Sequence, residues 1–282
     1  MAKHYEALQK AEEERRKRAG RAQEPAPQPF DIDSPSRGQR SSSQGLLQNF
    51  QSRFRRPLRR PSTANEVNKR RIAILQPDSF AAEQFRTLRG RIDSLATQRD
   101  IKSVALTSAN PDEGKSTASI NLAAVTSMSV GRKVVLVDCD LRQPKIHRSL
   151  GIEPVVGLAE VLTGRASLGE AIVQADGISL DVLAVRNTPS NPSELLASRE
   201  MRQLVAELVD RYDQVILDTP ACLGLPDAKT VTELADGVVL VVRADVTPRE
   251  DVETVLEILD RSRLLGMVLN GVEMTRRQYG YY

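Results

Sequence analysis

Six short apolar runs recur along the chain, at 102–107 (KSVALT), 133–138 (KVVLVD), 180–185 (LDVLAV), 214–218 (QVILD), 237–242 (GVVLVV) and 265–270 (LGMVLN). They are too short to be buried helices and rich in valine, so they read as strands. Segments of helical character separate them, near 115–129, 157–163, 199–211, 227–234 and 248–261, and another precedes them at 78–96. Near-continuous apolar strands alternating with helices predict an α/β fold, a mostly parallel sheet covered by helices on both faces. The helix at 248–261 has a start signal: Thr247 as N-cap, Pro248 at the first helical position and Glu250 at the third predict a capping box.

Between the first strand and its helix lies Ala109-Asn110-Pro111-Asp112-Glu113-Gly114-Lys115-Ser116-Thr117. This is a P-loop with alanine where the first glycine usually stands, in the strand–loop–helix setting that its mechanism requires. Residues 110–117 would face phosphates through the loop's backbone N–H groups and the helix N-terminus. Lys115 adds a point charge, and Ser116 offers a hydroxyl to Mg2+. Two more strands end in carboxylates: Asp138, with Asp140 just beyond it, and Asp218. Strand ends of this kind bring acids to the sheet edge where ligands of open α/β sheets bind. Mg2+ keeps waters and takes few protein ligands, so three carboxylates exceed its needs. The surplus acid can accept a proton from a nucleophile. An oriented water would make an ATPase, an oriented hydroxyl a kinase.

Charge divides the chain. Residues 1–70 carry 16 Lys/Arg against 8 Asp/Glu, whereas 71–282 carry 24 against 29. An acidic folded body thus follows a basic arm. Within the arm, 1–22 predicts a charged helix, and 23–70, rich in Pro, Ser, Gln and Arg, a disordered linker. Its stretch FQSRFRRPLRR suits an anionic surface, or is simply solvated. No folded nucleic-acid motif accompanies it, so no specific nucleic acid is expected. Two cysteines, Cys139 and Cys222, are too few for a disulfide framework and fit a reducing, cytoplasmic compartment. No apolar run reaches 18 residues, and the N-terminus is too charged for a signal peptide. The other end is unusual. Three of the five tyrosines, Tyr279, Tyr281 and Tyr282, fall in the last four residues.

Residues 78–282 resemble the bacterial tyrosine kinases, P-loop autokinases of capsule and exopolysaccharide systems. The resemblance rests on EQFRTLRGRI, TSANPDEGKST, VDCDLRQPKIHRSLG, GLAEVLTGRASLGEAI, TPSNPSELLAS, YDQVILDTPACLGLPDA and ADGVVLVVRADVT, in that order. Septum-site and partition ATPases share the fold but carry a lysine near the start of the loop, where this chain has Asn110 and Pro111. The resemblance departs at Arg186-Asn187, where the family commonly has a glycine, and in a tyrosine tail that Gly280 interrupts.

The resemblance implies a kinase domain over 71–275 and a phosphoacceptor tail over 276–282. Lys115 would bind phosphate, and Ser116, Asp140 and Asp218 would organise Mg2+. Asp138 is the leading candidate to take the phenol proton, although Asp138 and Asp140 are not separable by sequence. Arg142 would steady the phosphates or its loop. Asn270 would contact adenine or serve only as a strand-end turn residue. Glu83, Arg86 and Arg89 match a motif that joins subunits into a ring; on a helix, spacings of three keep them within about 120° of arc. A local Glu–Arg pair is the simpler reading of those residues. Implied partners are ATP, a membrane adaptor or polysaccharide co-polymerase that holds the kinase at the inner face of the cell membrane, a cognate tyrosine phosphatase, and protein substrates.

Overall fold

The computed structural model describes residues 70–272, and all six expected strands are among them. The order of elements is α1 (Ile72–Leu75), α2 (Phe80–Ala96), β1 (Ser103–Ser108), α3 (Lys115–Ser127), β2 (Val134–Asp138), α4 (Ile146–Leu150), α5 (Leu158–Leu162), α6 (Leu168–Ala171), β3 (Ile172–Gln174), β4 (Leu180–Leu183), α7 (Pro192–Leu196), α8 (Arg199–Arg211), β5 (Gln214–Asp218), α9 (Asp227–Thr232), β6 (Gly237–Arg243), α10 (Arg249–Ile258) and β7 (Leu264–Asn270). The expected helix at 1–22, the tail at 276–282 and all of the linker except Arg70 lie outside the described residues.

The seven strands form one sheet in the order β3-β4-β2-β5-β1-β6-β7. Every neighbouring pair is parallel except the three-residue β3, which runs antiparallel along β4. β3 escapes a reading by pattern because three partly exposed residues have no period to detect.

Alternate strand residues supply two cores. On one face Val135, Val137, Val215 and Leu217 meet Met201, Leu204 and Leu208 of α8. On the other, Leu106, Val134, Leu136 and Ile216 meet Ile120 and Leu122 of α3 and Ile92 of α2. Each such Val, Leu or Ile contributes roughly 1.5–3 kcal/mol by leaving water. α8 has one apolar side, so its far face stays polar. α3 differs: twelve of its thirteen residues are buried, and the small side chains of Ser, Ala and Thr let it fit between the sheet and α2. Asn121 of α3 is also buried. It accepts from the Ala73 N–H at 2.8 Å and donates to the Arg70 carbonyl at 3.0 Å, which pins α1 to the helix.

The expected capping box at Thr247 does not form. α10 begins at Arg249 with Pro248 in the N-cap position and no side-chain cap. The Thr247 hydroxyl is used elsewhere, accepting from the Arg243 N–H and donating to Glu113.

Candidate active site

β1 lies inside the sheet, and its chain runs on from Ser108 into the loop and α3. Two loop residues take left-handed backbone: Asp112 (φ 65°) and Gly114 (φ 98°). Gly114 is required twice over, because a Cβ there would also collide with the Asn270 side-chain amide. Asn270, at the end of β7, donates to the Glu113 carbonyl at 2.9 Å and so lies on the loop. Pro111 has no N–H, and the Asn110 N–H is taken by Glu113 Oε2 at 3.0 Å. The amides suited to an anion are therefore those of the first turn of α3, which have no intrahelical acceptors. The first intrahelical bond there is from Ala118 to Gly114.

The carboxylates arrive by register. β2 and β5 are neighbours, and Asp138 pairs with Asp218 across them. Both are completely buried. Asp138 Oδ1 accepts from the Asp140 N–H at 3.2 Å, and Oδ2 accepts from the N–H groups of Lys145 (3.2 Å) and Ile146 (3.1 Å). Burial, reinforced by the charge of Asp218, pushes the Asp138 carboxyl up to about 8. Burial also raises Asp218, against the opposing pull of the Lys115 cation. Ser119, one turn beyond Lys115, donates to Asp218 Oδ1 at 2.9 Å, and Asp218 Oδ2 is buried without a hydrogen-bond partner.

Lys115 lies among these acids, with its ammonium 3.1 Å from Asp140 Oδ2. Burial alone would lower its pKa, but the charges of Asp218 and Asp140 outweigh that and hold it above its ordinary value. Asp140 is slightly exposed and also accepts from the Gln143 N–H at 3.0 Å.

Arg142 leaves the cluster. It pairs with buried Asp227 at 2.7 Å and donates to Ser193 at 2.8 Å, tying the loop after β2 to α9 and α7. Lys145 pairs with Asp112 at 2.9 Å, across to the P-loop. Sequence reading passed over Ser119, Lys145 and Asp227, and gave Thr247 only a helix-capping role. Only Ser119 carried a signal, its i,i+4 spacing from Lys115.

Glu83, Arg86 and Arg89 sit together on α2, apart from this cluster. Glu83 and Arg86 form a local ion pair, as the simpler reading had it. Arg89 donates to the Val125 carbonyl and to Ser129 Oγ, both at 2.8 Å, closing the C-terminal end of α3. Thirteen residues of helix, about 20 Å, separate that end from Lys115. A cavity of about 350 Å3 lined by Arg132, Lys133, Asp181 and Tyr212 opens at the opposite sheet edge and shares no residue with the acidic cluster.

The residues fit a nucleotide with a divalent cation. An unpartnered carboxylate oxygen on Asp218, a left-handed glycine at the end of the loop and a buried lysine at a helix N-terminus are the groups such a ligand needs. Among the described residues no three His, Cys, Asp or Glu side chains converge to cage a metal unaided.

Fold and site together define a P-loop protein of the nucleoside-triphosphatase type. Comparison with known proteins narrows the class. A family model for an AAA domain matches residues 101–264. The tyrosine-protein kinase YwqD of Bacillus subtilis is 40% identical over 226 residues, 79% of this chain and 95% of the relative. The succinoglycan biosynthesis transport protein ExoP of Rhizobium meliloti is 33% identical over 75% of this chain and 29% of its own length. Among solved structures, the kinase domain of the Escherichia coli tyrosine kinase ETK superposes with a TM-score of 0.69 at 33% identity, covering 73% of this chain and 81% of that one. The chain belongs to the bacterial tyrosine-kinase family and is a tyrosine-protein kinase. It spans nearly all of YwqD and under a third of ExoP.

Proposed function

We propose that this kinase phosphorylates its own C-terminal tyrosines, Tyr279, Tyr281 and Tyr282, in a neighbouring copy, using ATP and Mg2+, in the service of exopolysaccharide or capsule production. The observation that carries the reading is the placement of Lys115 at the head of α3, beside the paired strand-end acids Asp138 and Asp218. The amides of Gly114, Lys115, Ser116 and Thr117 hold phosphate oxygens. Ser116, Asp140 and Asp218 would hold Mg2+, which when bound neutralises charge developing on the phosphates. Lys115, now paired with Asp140, would then turn to phosphate.

Asp138 takes the phenol proton. Its raised pKa, near 8, matches a base working close to neutral pH. Three backbone amides, of Asp140, Lys145 and Ile146, fix the direction of its carboxylate. Positioning and charge neutralisation supply most of the rate.

The tail lies outside the described residues. About nine residues separate Asn270 from Tyr279, and extended they span about 30 Å, enough to reach a second subunit. Glu83, Arg86 and Arg89 form the face we propose for that subunit contact. Each added phosphate brings about −1.5 to −2 charge, and repulsion from the acidic site ejects the tail and loosens the assembly. Among the described residues no helix is long and apolar enough to cross a membrane. We place the kinase in the cytoplasm, against the membrane, through a separate adaptor.

Incubation with Mg-ATP followed by mass spectrometry of the tail tests this. Phosphate on Tyr279, Tyr281 or Tyr282, lost in Lys115→Met, is expected. ATP turnover with an unmodified tail would overturn the autokinase reading.

A further inference from the structure

Glu113 is a carboxylate in a loop built to bind anions. It is only 3% exposed, and among the described residues it has no salt-bridge partner. Two kinds of donor hold it instead. Its Oε2 accepts from the Asn110 N–H at 3.0 Å, and its Oε1 accepts from the Thr247 hydroxyl at 2.7 Å, with Asn110 Nδ2 farther off at 3.4 Å.

Thr247 belongs to the segment between β6 and α10, not to the P-loop. Its hydroxyl accepts from the Arg243 N–H at 2.9 Å, which commits its single proton to Glu113. The backbone N–H of Thr247 returns a bond to the Arg243 carbonyl at 3.0 Å, so the residue is fixed at both ends. Asn110 is anchored to the same region by 2.7 Å to Asp251 Oδ2 of α10. The acid is thus drawn to the β6–α10 side of the loop.

Granted the nucleotide reading above, on which this rests, we propose that Thr247 is a positioning residue for ATP. Its hydroxyl tethers the Glu113 charge away from the phosphates and holds the loop to the β6–α10 segment. Released, the carboxylate is free to turn toward the same N–H groups that the phosphates require, as a competing anion inside the site. Thr247 touches no reacting atom, so its removal should act on affinity rather than on the chemical step.

Titration of Mg-ATP and steady-state phosphorylation in Thr247→Val, Thr247→Ser, Glu113→Gln and the Thr247→Val/Glu113→Gln pair test it. A bond from a hydroxyl to a buried charge predicts about a tenfold rise in Kd and KM for Thr247→Val with kcat nearly unchanged. Serine, which keeps the hydroxyl, should restore wild-type affinity. In the Glu113→Gln background, where no charge needs restraint, the valine should change affinity less than twofold. Equal loss in both backgrounds, with melting temperatures held, would mean simple loosening of the loop and would overturn the tether. So would wild-type affinity in Thr247→Val. If instead wild type binds Mg-ATP no better than Lys115→Met, the nucleotide reading itself fails, and the tether falls with it.

Discussion

The Asp138–Asp218 pair makes folding stability depend on pH in a direction opposite to that of most carboxylates. Asp138 ionises near 8 in the folded chain because burial and the Asp218 charge disfavour its anion, whereas in the unfolded chain it ionises near the ordinary aspartate value of about 4. A folded-state pKa above the unfolded one means that the native state binds more protons across that window. Its stabilising contribution is complete below about pH 4 and is lost as pH rises through 8. The slope for one proton is about 1.4 kcal/mol per pH unit. Stability of the metal-free protein should therefore fall by about 3 kcal/mol between pH 5 and pH 7 through this site alone. Asp138→Asn provides the comparison, since a neutral amide resembles the protonated acid in size and charge. The proton belongs to the coupled pair rather than to one residue, and the substitution removes the coupling. Urea unfolding in EDTA, followed by circular dichroism, gives both curves. The stability of wild type relative to Asp138→Asn should decline by about 3 kcal/mol over those two units. Parallel curves would show that Asp138 is already ionised in the fold, and the raised pKa assigned to it would be wrong.

Other substitutions probe separate parts of the site and the core. Lys115→Met removes a cation from among three carboxylates; autophosphorylation should become undetectable, and the loss of stability should grow with pH as the acids ionise, read by mass spectrometry and thermal melting. Gly114→Ala forces a Cβ into left-handed backbone and against the Asn270 amide, costing about 1–3 kcal/mol and weakening nucleotide binding in titration calorimetry. Leu208→Ala empties a fully buried position of α8 and should cost about 2–5 kcal/mol in denaturant unfolding, with catalytic parameters preserved at low temperature.

Much of the fold was legible because valine-rich runs ending in aspartate have few alternatives to parallel strands. The P-loop was legible from Gly114-Lys115-Ser116 and its setting. What escaped was decided by tertiary contacts. β3 is three residues of edge strand, recognisable only beside β4. The Thr247-Pro248 signal was locally sound, but a buried carboxylate 134 positions away offered the hydroxyl a better partner than the helix end did. Arg142 was expected to steady the phosphates or its loop, but the groups that hold its guanidinium, Asp227 and Ser193, are distant in sequence and could not be named in advance. Asn121 carried no signal at all, since a polar residue inside a helix is ordinary until the backbone of another segment comes to rest on it.

The register of β2 against β5 has a consequence for how such a chain can change. Side chains on a strand alternate between faces, so Asp138 and Asp218 stand side by side only while both strands keep their present length and pairing. Inserting or deleting one residue in either strand would turn an acid toward the opposite layer and an aliphatic side chain toward the site. The loops beyond the strands carry no such restriction. Descent with modification is thereby channelled: connections can lengthen, shorten and acquire new partners, while the two ladders beneath them count residues without tolerance.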